Sequence, residues 1–97
     1  MKGMSINEFM NKIYYGDELE FVINETTYFI QGFQDNAKFT LIVDYWNKID
    51  GTEPEHDYLF SITCTSKEER MLRFEEAPIF NGKTIYESES EIEVLYG

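Results

Sequence analysis

Apolar positions at the start of the chain recur with the period of a helix. Ile6, Phe9, Met10, Ile13 and Tyr14 stand at i, i+3, i+4, i+7 and i+8, which is one buried helical face. Ser5-Ile6-Asn7-Glu8 precedes them as a capping box, in which the Ser5 hydroxyl accepts from a first-turn amide and Glu8 reaches back. Gly16 supplies the left-handed residue that ends such a helix, so a helix is predicted over 5–15. Residues 1–4 are set aside as a disordered or adventitious start, because Met4 follows so closely on Met1.

After Gly16 the period becomes two. Leu19, Phe21 and Ile23 alternate with Glu18, Glu20 and Val22 as in a half-buried strand. Asn24-Glu25 fits a two-residue hairpin turn, although Glu25 is a poor second residue for it. Strands over 26–33 and 38–46 follow, separated by a turn at Gln34-Asp35-Asn36-Ala37. Register is checkable because a one-residue slip inverts every side chain. Pairing Ile23 with Thr26 sets Phe21 against Tyr28 and Leu19 against Ile30; a four-residue turn at 34–37 sets Ile30 against Leu41 and Tyr28 against Val43. Leu19, Phe21, Ile23, Tyr28, Ile30, Phe39, Leu41, Val43 and Tyr45 then share one face.

Residues 47–56 read as a loop around Gly51 and Pro54, and 57–65 as a fourth strand with Tyr58, Phe60, Ile62 and Cys64 on its apolar side. Ser66-Lys67-Glu68-Glu69 is a second capping box, opening a helix that runs to Glu76 and stops before Pro78. Met71, Leu72 and Phe74 form its apolar face. Asn81-Gly82 is a tight turn, a short helix or turn is expected over 84–89, and an extended segment follows it. The predicted class is α+β: a four-stranded, mainly antiparallel meander with two helices on one face. The order is α-β-β-β-β-α plus a C-terminal segment, all within a single domain.

The opposite sheet face changes the picture. Val22, Phe29, Phe33, Ile42 and Trp46 all point there, where a solvated antiparallel sheet would be polar. Two readings stay open. Either the C-terminal segment (Ile79, Phe80, Ile85, Leu95) or helix 2 covers these residues, or they form an interface for a homodimer or a partner, anchored by Trp46.

Charge adds a second constraint. The 97 residues carry 19 Asp+Glu against 8 Lys+Arg, a net charge of −11. That sign argues against nucleic acid or an anionic membrane as partner. The 42% hydrophobic content is too high for a disordered acidic tail. The acids gather at Asp50, Glu53, Glu55 and Asp57 and at Glu87, Glu89, Glu91 and Glu93. They form a solvated face, or a surface that steers a basic partner.

Little in the sequence supports catalysis. His56 stands alone among acidic neighbours and lacks the further ligands a zinc site needs. Cys64, the single cysteine, precludes an internal disulfide and has no histidine base within reach along its strand. Gly32, Gly51 and Gly82 are isolated, so no phosphate-cradling loop is present. No cofactor and no metal are expected. The first residues, MKGMSINEFMNK, hold no apolar run of signal-peptide length, and a cytoplasmic location is expected.

Two stretches carry a resemblance. Tyr14-Tyr15-Gly16-Asp17-Glu18-Leu19-Glu20-Phe21 and Phe74-Glu75-Glu76-Ala77-Pro78-Ile79-Phe80-Asn81-Gly82-Lys83-Thr84 are similar to those of a family of small, acidic, uncharacterised bacterial proteins. The resemblance implies a compact bacterial domain and no particular activity. Within it, Phe80-Asn81-Gly82-Lys83 is expected to be a turn of fixed geometry, with an anion site at Lys83 as its alternative role. The functional expectation is a non-enzymatic protein-binding module that self-associates or inhibits a basic partner, as an immunity protein or antitoxin does. The competing expectation is a small-ligand binder or enzyme with a pocket between the C-terminal segment and the sheet, His56 or Tyr86 at its rim.

Overall fold

A computed structural model describes residues 1–47 and 59–97, with the backbone alone at Trp46 and Asn47. Helix α1 (Ile6–Tyr14) is capped by Ser5, whose hydroxyl accepts from the Glu8 amide at 3.1 Å. Gly16 leaves the helix at φ +80°. Three strands follow, β1 (Leu19–Ile23), β2 (Thr26–Asp35) and β3 (Lys38–Asn47). The edge strand β4 (Phe60–Cys64) then leads to helix α2 (Lys67–Glu76), whose Ser66 cap accepts from the Glu69 amide at 3.1 Å. A 3₁₀ turn (Glu89–Glu91) introduces β5 (Ile92–Tyr96).

Among the described residues the sheet has five strands in the order β4-β3-β2-β1-β5, all antiparallel. This corrects the expected four-stranded sheet: the extended C-terminal segment is a fifth strand beside β1. Its signal in the sequence is weak for a physical reason. An edge strand buries little, and only Ile92 in β5 is buried, with Val94 half-buried. A register shift between Glu20 and Phe21 further breaks its alternation. Lys2, set aside with the first four residues, pairs with this strand: its amide donates to the Ile92 carbonyl and its carbonyl accepts from Val94, both at 2.9 Å.

The β1–β2 register is as expected, with Leu19 opposite Ile30, Phe21 opposite Tyr28 and Ile23 opposite Thr26. The β2–β3 register is displaced by two residues, so that Ile30 meets Val43 and Tyr28 meets Tyr45. The cause is the turn. Asn36 and Ala37 both adopt positive φ, +47° and +62°, which makes a two-residue turn and pairs Asp35 with Lys38. A displacement of two preserves the facing of every side chain, so the expected core face survives the error.

That face holds the core. Leu19, Phe21, Ile30, Leu41 and Val43 are fully buried against Phe9 and Ile13 of α1 and Phe74 of α2. Phe80, Ile85 and Ile92 join the same cluster. Phe80 packs against Tyr28 at 5.0 Å, Phe21 at 6.0 Å and Phe74 at 6.1 Å between ring centroids, so it ties the C-terminal segment to both sheet and helix. Cys64 lies buried on the same side, as a small apolar group would.

On α2 one position departs from expectation. Leu72 is 54% exposed, and Arg70 is buried in its place. Guanidinium Nη2 of Arg70 donates to the Tyr14 carbonyl at 2.8 Å and Nη1 to the Thr40 carbonyl at 3.1 Å. Burial lowers its pKa from the usual value. The guanidinium thus meets the negative end of α1, where helix carbonyls lack partners, instead of a carboxylate. No helix of the described residues is long and apolar enough to cross a membrane.

Candidate functional site

The antiparallel registers arrange the second sheet face into rows across the strands. One row runs Glu93, Val22, Thr27 and Trp46 from β5 to β3. The next runs Tyr96, Glu20, Phe29 and Asp44. Gln31, Ile42 and Ser61 make a third, and Phe33, Thr40 and Thr63 a fourth. Each row is held by the backbone ladder, and polar side chains reinforce it locally. Glu18 Oε1 accepts from Gln31 Nε2 at 2.8 Å, and the Thr40 and Thr63 hydroxyls lie 2.9 Å apart.

Neither helix nor the segment 78–91 covers these rows. The expectation that Ile79, Phe80 and Ile85 or α2 fold over this face is corrected: those residues pack into the core cluster on the opposite side. The reason is volume, since the first face presents Phe21, Tyr28 and Val43, and the C-terminal aromatic completes that cluster. Leu95 is 51% exposed at the β5 edge. Of the expected interface residues, Phe33 is 46% exposed, Val22 and Phe29 are half-buried, and Ile42 is 8% exposed. Trp46 is placed by its backbone pairing with Thr27 alone. Thr27 itself was absent from the expected set; it is 1% exposed and its hydroxyl has no hydrogen-bond partner among the described residues.

The two acidic groups fare differently. Asp50, Glu53, Glu55 and Asp57 lie outside the described residues, as does His56. Glu87, Glu89, Glu91 and Glu93 do not form one free cluster. Glu87 makes a reciprocal capping box with Thr84: its Oε1 accepts from the Thr84 amide at 2.9 Å while its own amide donates to Thr84 Oγ1 at 3.3 Å. Glu91 Oε1 lies 3.8 Å from Lys83 Nζ, and its Oε2 accepts from Asn24 Nδ2 at 3.2 Å. Lys83 is thereby engaged by a carboxylate. Glu93 is exposed on β5 and faces the row of Val22. Sequence reasoning did not single out Glu20 and Asp44, because single acids in alternating strands carry no special signal until registers place them on either side of Phe29.

A separate cavity of about 530 Å³ lies between residues 78–83 and the sheet. Tyr28, Tyr45, Leu59, Ile79 and Phe80 form its apolar wall, with Asn24, Lys83 and Glu91 among the polar groups lining it. Burial raises the Tyr28 hydroxyl above its ordinary value of 10.0, with the neighbouring Tyr45 adding to the effect. Tyr86 does not line the cavity; its hydroxyl donates to Glu75 at 3.3 Å, and burial together with that carboxylate raises its pKa. At the other end of the sheet, Tyr14 donates to Glu68 Oε1 at 2.8 Å, which raises the phenol and lowers the carboxyl. Lys67 Nζ sits 5.3 to 5.9 Å from the rings of Tyr15, Tyr14 and Phe39. Among the described residues no three His, Cys, Asp or Glu side chains are grouped as a metal site requires.

The fold defines an α+β chain in which both helices and Phe80, Ile85 and Ile92 pack into one core cluster on one side of an antiparallel sheet. No family model, no curated protein and no solved structure matches the chain.

Proposed function

We propose that this chain is a non-enzymatic protein-binding module whose second sheet face docks a partner with an apolar centre and a basic rim. The observation that carries this is the row Glu20, Phe29 and Asp44, an aromatic flanked by two carboxylates on neighbouring strands. Phe33, 46% exposed, lies two rows further along β2, beyond Gln31, and would add a second aromatic contact. Phe29 and Phe33 would supply the desolvated contact, and Glu20, Asp44 and Glu93 would favour lysine and arginine at its margin. A net charge of −11 would speed encounter with such a partner and make it salt-dependent. An inhibitor of a basic protein in a bacterial cytoplasm fits this surface.

The test uses the full chain immobilised on resin, with capture from the native cell followed by purified reconstitution. The reading requires a basic partner whose binding weakens at high salt and is lost in Glu20→Lys/Asp44→Lys and in Phe29→Asp. A partner that is neutral or acidic, or indifferent to salt and to those changes, overturns it.

A second reading rests on the cavity beside Tyr28 and Tyr45. Its several hundred Å³ and mixed lining suit a small molecule that carries both apolar and polar groups. Ligand-observed NMR with a fragment set, compared between the natural chain and Ile79→Trp, checks it. No fragment displaced by the filled cavity means no such site.

A further inference from the structure

We propose that β4 is a self-association edge: two copies pair their β4 strands antiparallel about a two-fold axis at Ile62 and join their sheets into one. Ser61 and Thr63 lie on the second face, but the pairing runs through the β4 backbone at the sheet's edge and does not rest on the partner reading.

The two edges of the sheet are unlike. Along β5, Lys2 occupies the outer side through two backbone hydrogen bonds of 2.9 Å. Along β4, among the described residues, only β3 is paired. Sheets protect a free edge with charges, prolines or bulges. Phe60-Ser61-Ile62-Thr63-Cys64 contains no charge and no proline, and its register with β3 is unbroken. Every other strand carries a charged residue: Glu20 in β1, Asp35 in β2, Lys38 and Asp44 in β3, Glu93 in β5.

These features select a second copy as the occupant. A foreign basic strand would find no carboxylate on β4 to recognise. An identical strand brings no acid opposite acid, although each chain carries −11. The proposed axis sets Ser61 opposite Thr63 of the partner subunit, a pairing of small hydroxyl side chains that sheets accept well. Phe60 and Ile62 are half-buried at the margin of the core; the axis would set Phe60 opposite Cys64 of the partner subunit and Ile62 opposite its own counterpart. An axis normal to the sheet also leaves both second faces on the same side.

Sedimentation equilibrium of the full chain is the test. The expected mass rises with concentration from 11.5 kDa to twice that value. It rises more readily at about 1 M salt than at about 0.15 M, since salt screens the repulsion of two acidic chains. Ser61→Asp/Thr63→Asp and Ser61→Lys/Thr63→Lys each place like charges opposite one another and are expected to remain monomeric. Their equimolar mixture restores the dimer. A natural chain that stays monomeric, a dimer untouched by the Asp pair, or a mixture that fails to recover overturns the proposal. Should circular dichroism show the variants unfolded, amide exchange of the natural chain decides. Protection of β4 amides then grows with protein concentration, and unchanged protection overturns the proposal.

Discussion

Gly16 and Gly32 touch through their backbones. The Gly32 amide donates to the Gly16 carbonyl at 3.2 Å, and a Cβ on Gly32 would stand 2.6 Å from the Gly16 Cα and 3.0 Å from Arg70 Nη1. The exit of α1 therefore crosses the middle of β2 at a distance that only glycine permits. Gly32 also sits between Ile30 and Gln34 on the core face of β2, so the helix end rests directly on the sheet.

Replacing Gly32 with alanine should displace this crossing and the Arg70 guanidinium together. The expected cost is about 1–3 kcal/mol, the usual range for forcing a methyl into a filled site. Urea unfolding followed by tyrosine fluorescence measures it. Gly82→Ala is the comparison. Its φ is +84° but no described residue lies within 4 Å of an added Cβ, so strain acts there without a clash and the loss should be smaller.

Arg70 is the second anchor of this junction. Arg70→Ala leaves the Tyr14 and Thr40 carbonyls without their donors and also opens space, whereas Arg70→Met fills the volume. Each unsatisfied carbonyl costs on the order of 1–3 kcal/mol. Arg70→Ala should thus be the more destabilising, with Arg70→Met intermediate, in equilibrium denaturation. Equal stability of Met and Arg would show that the two hydrogen bonds contribute no net stability over packing.

The hairpin turns hold residues in conformations that suit glycine. Glu25 at φ +72° and Ala37 at φ +62° take the second place of two-residue turns where Asn-Gly is preferred. Ala37→Gly and Glu25→Gly should each relieve about 1 kcal/mol of left-handed strain, reduced by the extra freedom glycine gains when unfolded. A rise in thermal midpoint for either variant is the expected outcome.

Stability should fall at both ends of the pH scale for identifiable reasons. Tyr28 is raised above 10.0 in the folded chain by burial. Unfolded, it loses its proton first, so stability holds below that pH and declines as pH rises through the folded value. Tyr28→Phe should flatten this alkaline decline. Glu68 is shifted the other way, below 4.5, chiefly by the Tyr14 hydroxyl. Its contribution is present above that value and lost as pH falls through the folded pKa, and Tyr14→Phe should remove that part of the acid slope. Tyr14 is itself raised by the same bond, so its replacement also trims the alkaline side. Denaturant midpoints measured across the pH range check both.

Most of the core was legible along the chain because it obeys local rules. Ser5 and Ser66 cap their helices, Gly16 and Asn81-Gly82 turn where their φ allows, and Leu19, Phe21, Ile23, Tyr28 and Ile30 alternate as strands must. Parity protects this reading. Even a two-residue misplacement of β3 left Leu41 and Val43 facing inward.

What pattern could not supply involves residues distant in sequence. Arg70 reads as a solvent-facing charge until α1 brings the Tyr14 carbonyl to it. Glu20 and Asp44 become neighbours of Phe29 only when β1, β2 and β3 are laid side by side. The position of Phe80 was equally open, because either sheet face offered an apolar surface. Cluster volume chose the side already filled by Phe21, Tyr28 and Phe74, and left Val22, Phe29 and Phe33 outside that core. Periodicity specifies which residues share a face; which face is covered depends on how the pieces fill space.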